Sequence, residues 1–560
     1  MKKIFLIFLS IFFAKLNFAQ GPAFLWVKAI QGSGYSVGVS ITTDALGNVY
    51  TLGYFGGNVD FDPGPNTFTL ASLTFNNDIF ISKLNANGDF VWAKSFGSIL
   101  NDYGNSIAVD ASGNVYCTGL FNGTGDFDPG PGSYSLSSNG AQDAFVLKLD
   151  ASGNFVWSKS FGGINNEDGS GITLDASDNI YITGFFESIV DFDPGAGTFS
   201  INSSGSSDVF VSKLDNSGNF IWAKNFGGIG ADYANAICLD ALNNVYTTGY
   251  FSGTADFDPD IGISILVSVG PGDVFISKID ASGNYVWAKS QGGTSSYDIE
   301  VDNSGNVYTT GGYYNGADFD PGIGTVTLSS NGQSDIYISK LSNVGELVWV
   351  RVFGDIKDDE GSSLCIDAQG NILTIGGYQG TVDFDPSPTV FNLIGSMNYN
   401  SIFISKLNSL GNYVWAGSIK GSNNERGRAL TVDINNNIFT CGDYTGTADF
   451  DPDAGIYNLT GGGCFILKMA PCCAGFEEYD QNKKFISVYP NLNRGEFSID
   501  VPLEEKNVRV VLYNLMGQIV FTQSLNAGIN TIQTKLDKGL YLARLQGDTF
   551  TSEAAKVIVE

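Results

Sequence analysis

Fourteen aspartates stand in seven copies of one tetrapeptide, Asp-Phe-Asp-Pro. They pair as Asp60 with Asp62, Asp126 with Asp128, Asp191 with Asp193, Asp256 with Asp258, Asp318 with Asp320, Asp383 with Asp385, and Asp449 with Asp451. In an extended segment alternate residues share a side, so each pair presents two carboxylates together and turns its Phe the other way. Two carboxylates are hard oxygen ligands suited to Ca2+, with turn carbonyls as further ligands. The same residues also spell a turn, in which Asp62 caps the chain, Pro63 fixes φ, Gly64 relaxes the bend and Phe61 becomes a core peg. No Asp-x-Asp-x-Asp-Gly loop accompanies them, so the turn is the simpler reading and Ca2+ the only cofactor to weigh against none. Lys83 and its six counterparts are expected to balance these charges.

A second set of acids recurs at one repeat position: Asp102, Glu167, Asp232, Asp359 and Glu425. Ser36 takes this place in the first repeat, and the fifth repeat is shortened there. These side chains are expected to ring the mouth of a central channel, on loops of the kind that commonly carry binding. Two functions follow from such a mouth. One is non-enzymatic binding of a glycan, a matrix component or a protein. The other is a carboxylate-dependent hydrolase or lyase acting on an extracellular polysaccharide. An enzyme breaks repeat symmetry to assemble one site, and the best irregularity is Glu425-Arg426 with Arg428. No catalytic residue is assigned.

Composition removes other chemistries. There is no His, so His-dependent triads and His-ligated zinc are excluded. A net charge of −29 repels a phosphate backbone, so no nucleic acid is expected as partner. The seven Cys fall at unrelated repeat positions and do not form a disulfide framework. One bridge, Cys441 to Cys464, is conceivable on neighbouring strands, and Cys472-Cys473 is a candidate vicinal pair. Residues 1–19 read as a signal peptide, with Lys2 and Lys3 before the apolar run Ile4 to Ala14 and a cut after Ala19. No later run is long enough for a transmembrane helix. The expectation is an exported, monomeric protein.

What positions the acids is a repeat. All seven Trp fall in one motif, at Trp26, Trp92, Trp157, Trp222, Trp287, Trp349 and Trp415, a period of about 65 residues. In the fourth repeat, Ala236 to Leu239, Val245 to Phe251, Val274 to Ile279 and Tyr285 to Ser290 read as four strands joined by Asp-, Gly- and Asn-rich turns. The first turn of each repeat has Gly, Asn or Asp at one position (Gly47, Gly113, Asp178, Asn243, Gly305, Gly370, Asn436), as a left-handed residue requires. A second-strand glycine, Gly53 in the first repeat, recurs in all seven and marks close backbone approach. Four-stranded units around a channel make a propeller. The N-terminal piece Phe24-Leu25-Trp26 is a lone fourth strand, and the last repeat lacks one, so the N-terminal strand is expected to close the ring and remove its open edges. The fold class is all-β: a seven-bladed β-propeller over residues 20–473, a linker at 474–485, and a small C-terminal β-sandwich, Ig-like, at 486–560. A parallel β-solenoid is the rival, but it has a shorter period and no need of this offset.

The stretch Asp-x-x-Gly-Asn-Val-Tyr-x-Thr-Gly, clearest at Asp110 to Gly119 and Asp302 to Gly311, resembles the bacterial SBBP β-propeller repeat over residues 21–473. The resemblance implies a propeller and an exported location, with no single activity. In the tail, Val488-Tyr489-Pro490-Asn491, Gly495-Glu496-Phe497, Val510 to Gln518, Gly539-Leu540-Tyr541 and Lys556 to Glu560 follow in order. They resemble the type A C-terminal sorting domain of type IX secretion substrates, with Leu492 where that family commonly has a second Pro. This implies that residues 486–560 engage the type IX machinery, and that the protein is released or held at the outer cell surface.

Overall fold

The computed structural model describes residues 21–453, 455–471, 488–489, 492–493, 496–501, 508–514, 518–526, 528–536, 538–546 and 555–559. The expected signal peptide, the linker and the Cys472-Cys473 pair lie outside the described residues. The described residues form strands and turns with no helix. They divide into two compact units, Met1–Cys472 and Cys473–Glu560.

The first unit is a series of four-stranded antiparallel meanders. In the first, Tyr35–Thr43, Val49–Gly56, Asp78–Leu84 and Phe90–Ser98 pair in chain order. A small hairpin, Asn58–Asp60 with Thr69–Ala71, follows the second strand and carries the Asp-Phe-Asp-Pro segment. The pattern recurs down to Glu425–Val432, Ile438–Asp449 and Asn458–Met469. There the fourth strand is the N-terminal one, Phe24–Gly32, whose Val27, Ala29 and Ile30 face Leu467, Phe465 and Cys464 in register. The expected pairing of the chain's start with its last repeat is therefore present. The same strand bridges onward through Gln31 and Gly32 to Asp60 and Val59 of the first meander, and Ile30, Val49, Phe80, Cys441 and Ile466 share one core.

Two sequence expectations shift in detail. In the fourth repeat the first strand is Tyr233–Leu239, beginning earlier than Ala236 because a bulge between Ala234 and Ala236 breaks the alternation. Cys441 pairs with Ile466 while Cys464 pairs with Asp443, and both cysteines are free and buried rather than bridged.

The second-strand glycines explain themselves. A Cβ on Gly53 would lie 1.9 Å from the Val37 carbonyl oxygen, and one on Gly119 2.0 Å from that of Tyr103. The first-turn residues have positive φ in every repeat, from 59° at Asp178 and Asn436 to 82° at Gly113, the region Gly, Asn and Asp tolerate best.

In the second unit, Val488–Tyr489, Glu496–Val501 and Gly528–Gln533 make one sheet. Leu492–Asn493, Ala555–Val559, Gly539–Gln546, Val508–Tyr513 and Ile519–Leu525 make another. Phe497, Ile499 and Ile532 from the first sheet share a core with Val510, Leu512, Ala543 and Val557 from the second.

Candidate functional site

The repeated polar residues hold the scaffold. In the first turn Asp110 Oδ1 accepts from the Ser112 and Asn114 amides, and Oδ2 from Asn114 Nδ2 and the Tyr116 hydroxyl. Those four donors hold its carboxyl below its ordinary range against the opposing effect of burial. The third-strand lysine lies over the tyrosine ring, with Lys83 Nζ 4.8 Å from the Tyr50 centroid. Lys83 Nζ and Trp92 Nε1 both donate to the Ala151 carbonyl of the next meander. The same latch runs from the last repeat to the first, where Lys468 Nζ donates to the Ala86 carbonyl at 2.9 Å. These lysines therefore do not balance the Asp-Phe-Asp-Pro aspartates. They face the first-turn aspartates, as Lys406 does Asp367 at 2.8 Å.

The Asp-Phe-Asp-Pro segments are built as turns. Asp60 Oδ1 accepts from the Asp62 and Phe68 amides, and Asp62 Oδ1 from the Gly64 amide at 2.8 Å. Phe61 is fully buried against Phe55 and Phe80. The partners Asp126 and Asp128, Asp191 and Asp193, Asp256 and Asp258, Asp318 and Asp320, Asp383 and Asp385, and Asp449 and Asp451 repeat the first of these bonds. No group of three or more acidic or Cys side chains suited to a metal occurs among the described residues.

The second acid set does not ring a channel mouth. Asp102, Glu167, Asp232, Asp359 and Glu425 are each at most 1% exposed. In Asp359 the two oxygens accept from the Asp355 and Gln379 amides, closing the loop that enters the first strand, whereas Glu167 Oε1 and both Glu425 oxygens have no hydrogen-bond partner among the described residues. Burial raises Asp102 and Asp232 to about 6 and Glu167, Asp359 and Glu425 to about 7. The reason for the displacement is the pleat: the next residue along the strand, not this one, faces inward.

What does face inward is a single cavity of about 730 Å3 lined from all seven first strands. Each of those strands bulges at one residue, for example between Gly104 and Ser106. A bulge re-aims its side chain and frees an amide. The amides are taken up laterally: Ser40 Oγ accepts from Ile107 N, Ser106 Oγ from Ile172 N, and Asp298 Oδ2 from Leu364 N. The bulged side chains themselves are unlike one another, among them Asn105, Ser170, Tyr297 and Arg428. Acids enter from the third, fifth and sixth repeats as Asp168, Asp298 and Glu360, and arginines from the seventh as Arg426 and Arg428.

Crowding by protein raises Asp168 to about 7 and Asp298 to about 6, against the hydrogen bonds of Asn105 on the first and of Leu364 and Ser363 on the second. Glu360 is raised for the same reason, with Asp358 adding to it. Arg428 Nε donates to Asp443 Oδ1 at 2.7 Å. Arg426 is exposed and has no salt bridge among the described residues. The sequence pointed to the arginines and missed Asp168, Asp298 and Glu360. Their signal was the same loss of repeat symmetry, one and four places further along the strand than the buried acids.

Two family models match separate parts of the chain. The β-propeller repeat model, SBBP, matches residues 91–128, and the secretion system C-terminal sorting domain model matches residues 487–560. An uncharacterized WD repeat-containing protein of Acanthamoeba polyphaga mimivirus is 24% identical over 503 residues, covering 74% of this chain and 35% of its own. The regulatory protein FlaEY of Caulobacter vibrioides is 27% identical over 192 residues, covering 34% of this chain and 19% of its own. The chain thus spans about a third or less of these relatives. Among solved structures, a protein of unknown function from Bacteroides caccae matches 60% of this chain and 89% of its own at 9% identity and a TM-score of 0.30. PorZ, a surface component of the type IX secretion system of Porphyromonas gingivalis, matches 95% and 100% at 11% identity and a TM-score of 0.17. At these scores neither structure bears on fold or function. No helix among the described residues is long and apolar enough to cross a membrane. The chain carries a β-propeller repeat at residues 91–128 and a type IX C-terminal sorting domain at residues 487–560, and the sorting domain marks it for export to the cell surface or secretion.

Proposed function

We propose that the chain is a seven-bladed propeller closed by its N-terminal strand, monomeric and metal-free, that binds a ligand in its central cavity without turning it over. The tail is an Ig-like sandwich read by the type IX machinery. The observation carrying the binding reading is the contrast within the first strands. They share their bulge, glycine contact and turn, yet differ at the residues that line the cavity. Repetition maintains a scaffold, and its local breakdown around a cavity marks a site. Closure is supported by the pairing of Phe24–Gly32 with Asn458–Met469 and by the Lys468 latch onto the first meander. The test is a binding panel of glycans, matrix proteins and peptides presented to the full exported chain. Binding that substitutions at Asp168 or Arg426 abolish supports the reading, and binding indifferent to them overturns it.

A second reading is a polysaccharide hydrolase or lyase. It is favoured by Asp168, raised to about 7 by burial, and Glu360, raised by the same cause, in one cavity, since an acid held near neutrality, as Asp168 is, suits proton transfer. Release of new reducing ends or unsaturated sugars, lost in Asp168→Asn and Glu360→Gln, would decide for it.

A further inference from the structure

Residues 21–471 contain three arginines, Arg351, Arg426 and Arg428. Arg351 stacks on Trp349 and donates to the Gly411 carbonyl, a role in the scaffold. Both of the others line the cavity, two residues apart on one strand. Elsewhere in this scaffold a positive charge is supplied by lysine, which forms every repeated latch. Arginine differs from lysine in offering a planar fork that grips a carboxylate with two parallel bonds. Asp443 holds Arg428 by Nε, which fixes the plane of its guanidinium, and Arg426 stands beside it without a salt bridge of its own among the described residues.

The rest of the cavity has a different character. Tyr297 stands at the bulge of the fifth first strand, 38% exposed, and presents a ring. Asp168, Glu360, Ser170 and Ser362 supply acceptors suited to hydroxyl donors. A free carboxylate without hydroxyls would leave this acidic arc unused, and a neutral sugar would leave the arginines unused. Resting on the ligand-binding reading, we infer that the cavity receives a uronic-acid residue of an acidic polysaccharide. Its carboxylate lies on Arg426 and Arg428, its hydroxyls on Asp168 and Glu360, and its apolar ring face on Tyr297. A net charge of −29 repels polyanions in general, so the arginine pair confines recognition to a single unit entering the cavity rather than a chain lying along the surface.

The test is calorimetric titration of the full exported chain with oligosaccharides of galacturonate, glucuronate and mannuronate, each beside its carboxyl-reduced neutral counterpart. At least one uronate is expected to bind tenfold or more tightly than its neutral counterpart. Arg426→Ala, an exposed position, is expected to lose at least tenfold in affinity with an unchanged melting temperature. Arg428→Lys, which keeps the charge and removes the fork, is expected to lose affinity as well. Equal binding of reduced and unreduced sugars overturns the inference, as does failure of every uronate to bind. Binding of a neutral glycan or a peptide that Tyr297→Ala or Asp168→Asn abolishes overturns the acidic sugar while leaving the cavity's binding role standing.

Discussion

The two ends of each first strand follow opposite rules. At its turn end, Asp and Asn recur in every repeat with one hydrogen-bond pattern, and in five of the seven a lysine closes over a tyrosine ring. At its bulge, a few residues earlier, the backbone is equally regular but the side chains are Asn105, Ser170, Tyr297 or Arg428. Both regions are polar and both contain acids, so polarity alone cannot tell scaffold from site. Repetition can. Where a charged residue is needed to satisfy the backbone, every repeat needs it. Where a charged residue meets a ligand, one repeat suffices.

If the turn ends, the meander edges and the closing strand are scaffold, damage there falls on stability and spares binding. The largest loss is expected on removing residues 21–32. The last meander then loses its fourth strand, buried Val27 and Ile30, and the register with Phe465 and Leu467. Burying two such side chains contributes about 3–6 kcal/mol, and an exposed edge adds a tendency to aggregate. The truncated chain is expected to melt many degrees lower and to associate; a melt indistinguishable from that of the intact chain would refute closure by the N-terminal strand. Next comes Gly119→Ala. A Cβ 2.0 Å from the Tyr103 carbonyl oxygen cannot be accommodated without moving two paired strands, a cost of about 3 kcal/mol. Denaturant midpoints with an unchanged slope would report it. Asp110→Ala strips four donors of their acceptor and is expected to cost about 2 kcal/mol. Arg426→Ala, in the variable region, should stay within about 0.5 kcal/mol of the parent. If Arg426→Ala unfolds the protein more than Asp110→Ala does, the division between scaffold and site fails.

Much of this was legible in the residues. Seven tryptophans fixed the period, and the turn glycines and asparagines marked the left-handed positions later found at Gly47 and Asn436. The offset of Trp26 disclosed the pairing of the two ends of the repeat array. The site was less legible, because the acids before each first strand were read as open loop residues, and the strand's bulge was not seen. That residue, invisible as a break in hydrophobic pattern, decides which side chains face the cavity. Reading the loops as open places Asp102 and Glu425 at the mouth, whereas both are buried. Asp168 and Glu360, one step along their strands from Glu167 and Asp359, are the ones that reach the cavity.

A comparison within the scaffold predicts the pH dependence. At the junctions between meanders two buried carboxyls meet: Asp78 with Asp102, Asp208 with Asp232, Asp335 with Asp359. In each pair the first has one oxygen, Oδ1, with no donor, while the second accepts on both oxygens. A proton on the first carboxyl removes its charge from beside the second. Desolvation first, then the charge of Asp355 and after it that of Asp335, raise Asp359 to about 7, and Asp78 is also raised to about 7 mainly by burial. A carboxyl raised in the folded state binds its proton more tightly there than in the unfolded chain, so stability falls as pH rises from about 4 to about 7. The first-turn aspartates have the opposite sign. Lowered in the folded state, they hold stability above about 4 and lose it below. Stability is therefore expected to peak on the acid side, with a higher urea midpoint at pH 5 than at pH 8. Asp78→Asn, which removes one raised carboxyl and its charge from beside Asp102, should flatten that slope. An equal midpoint at both pH values would refute the raised carboxyls.

The smallest effect is expected from calcium. Fourteen aspartates in seven loops invite a metal, and extracellular modules bind Ca2+ with dissociation constants of about 10⁻⁴ to 10⁻³ M. Binding to the folded state alone would raise the melting temperature by mass action. Yet Asp60 Oδ1 already accepts two amides and Asp62 Oδ1 a third, so the inward lone pairs of each pair are directed at the loop's own backbone. A cation would have to displace those amides, leaving donors without acceptors, or bind on the outer oxygens, where water competes. Millimolar Ca2+ or a chelator should accordingly shift the melting temperature by no more than about 1 °C, since only a bound ion stabilises by linkage. Asp62→Asn, which retains an acceptor oxygen for the Gly64 amide, should be tolerated to within about 0.5 kcal/mol with and without calcium. A calcium-dependent rise of several degrees, lost when the equivalent aspartates are changed in several repeats, would turn these loops from scaffold into a metal-binding rim.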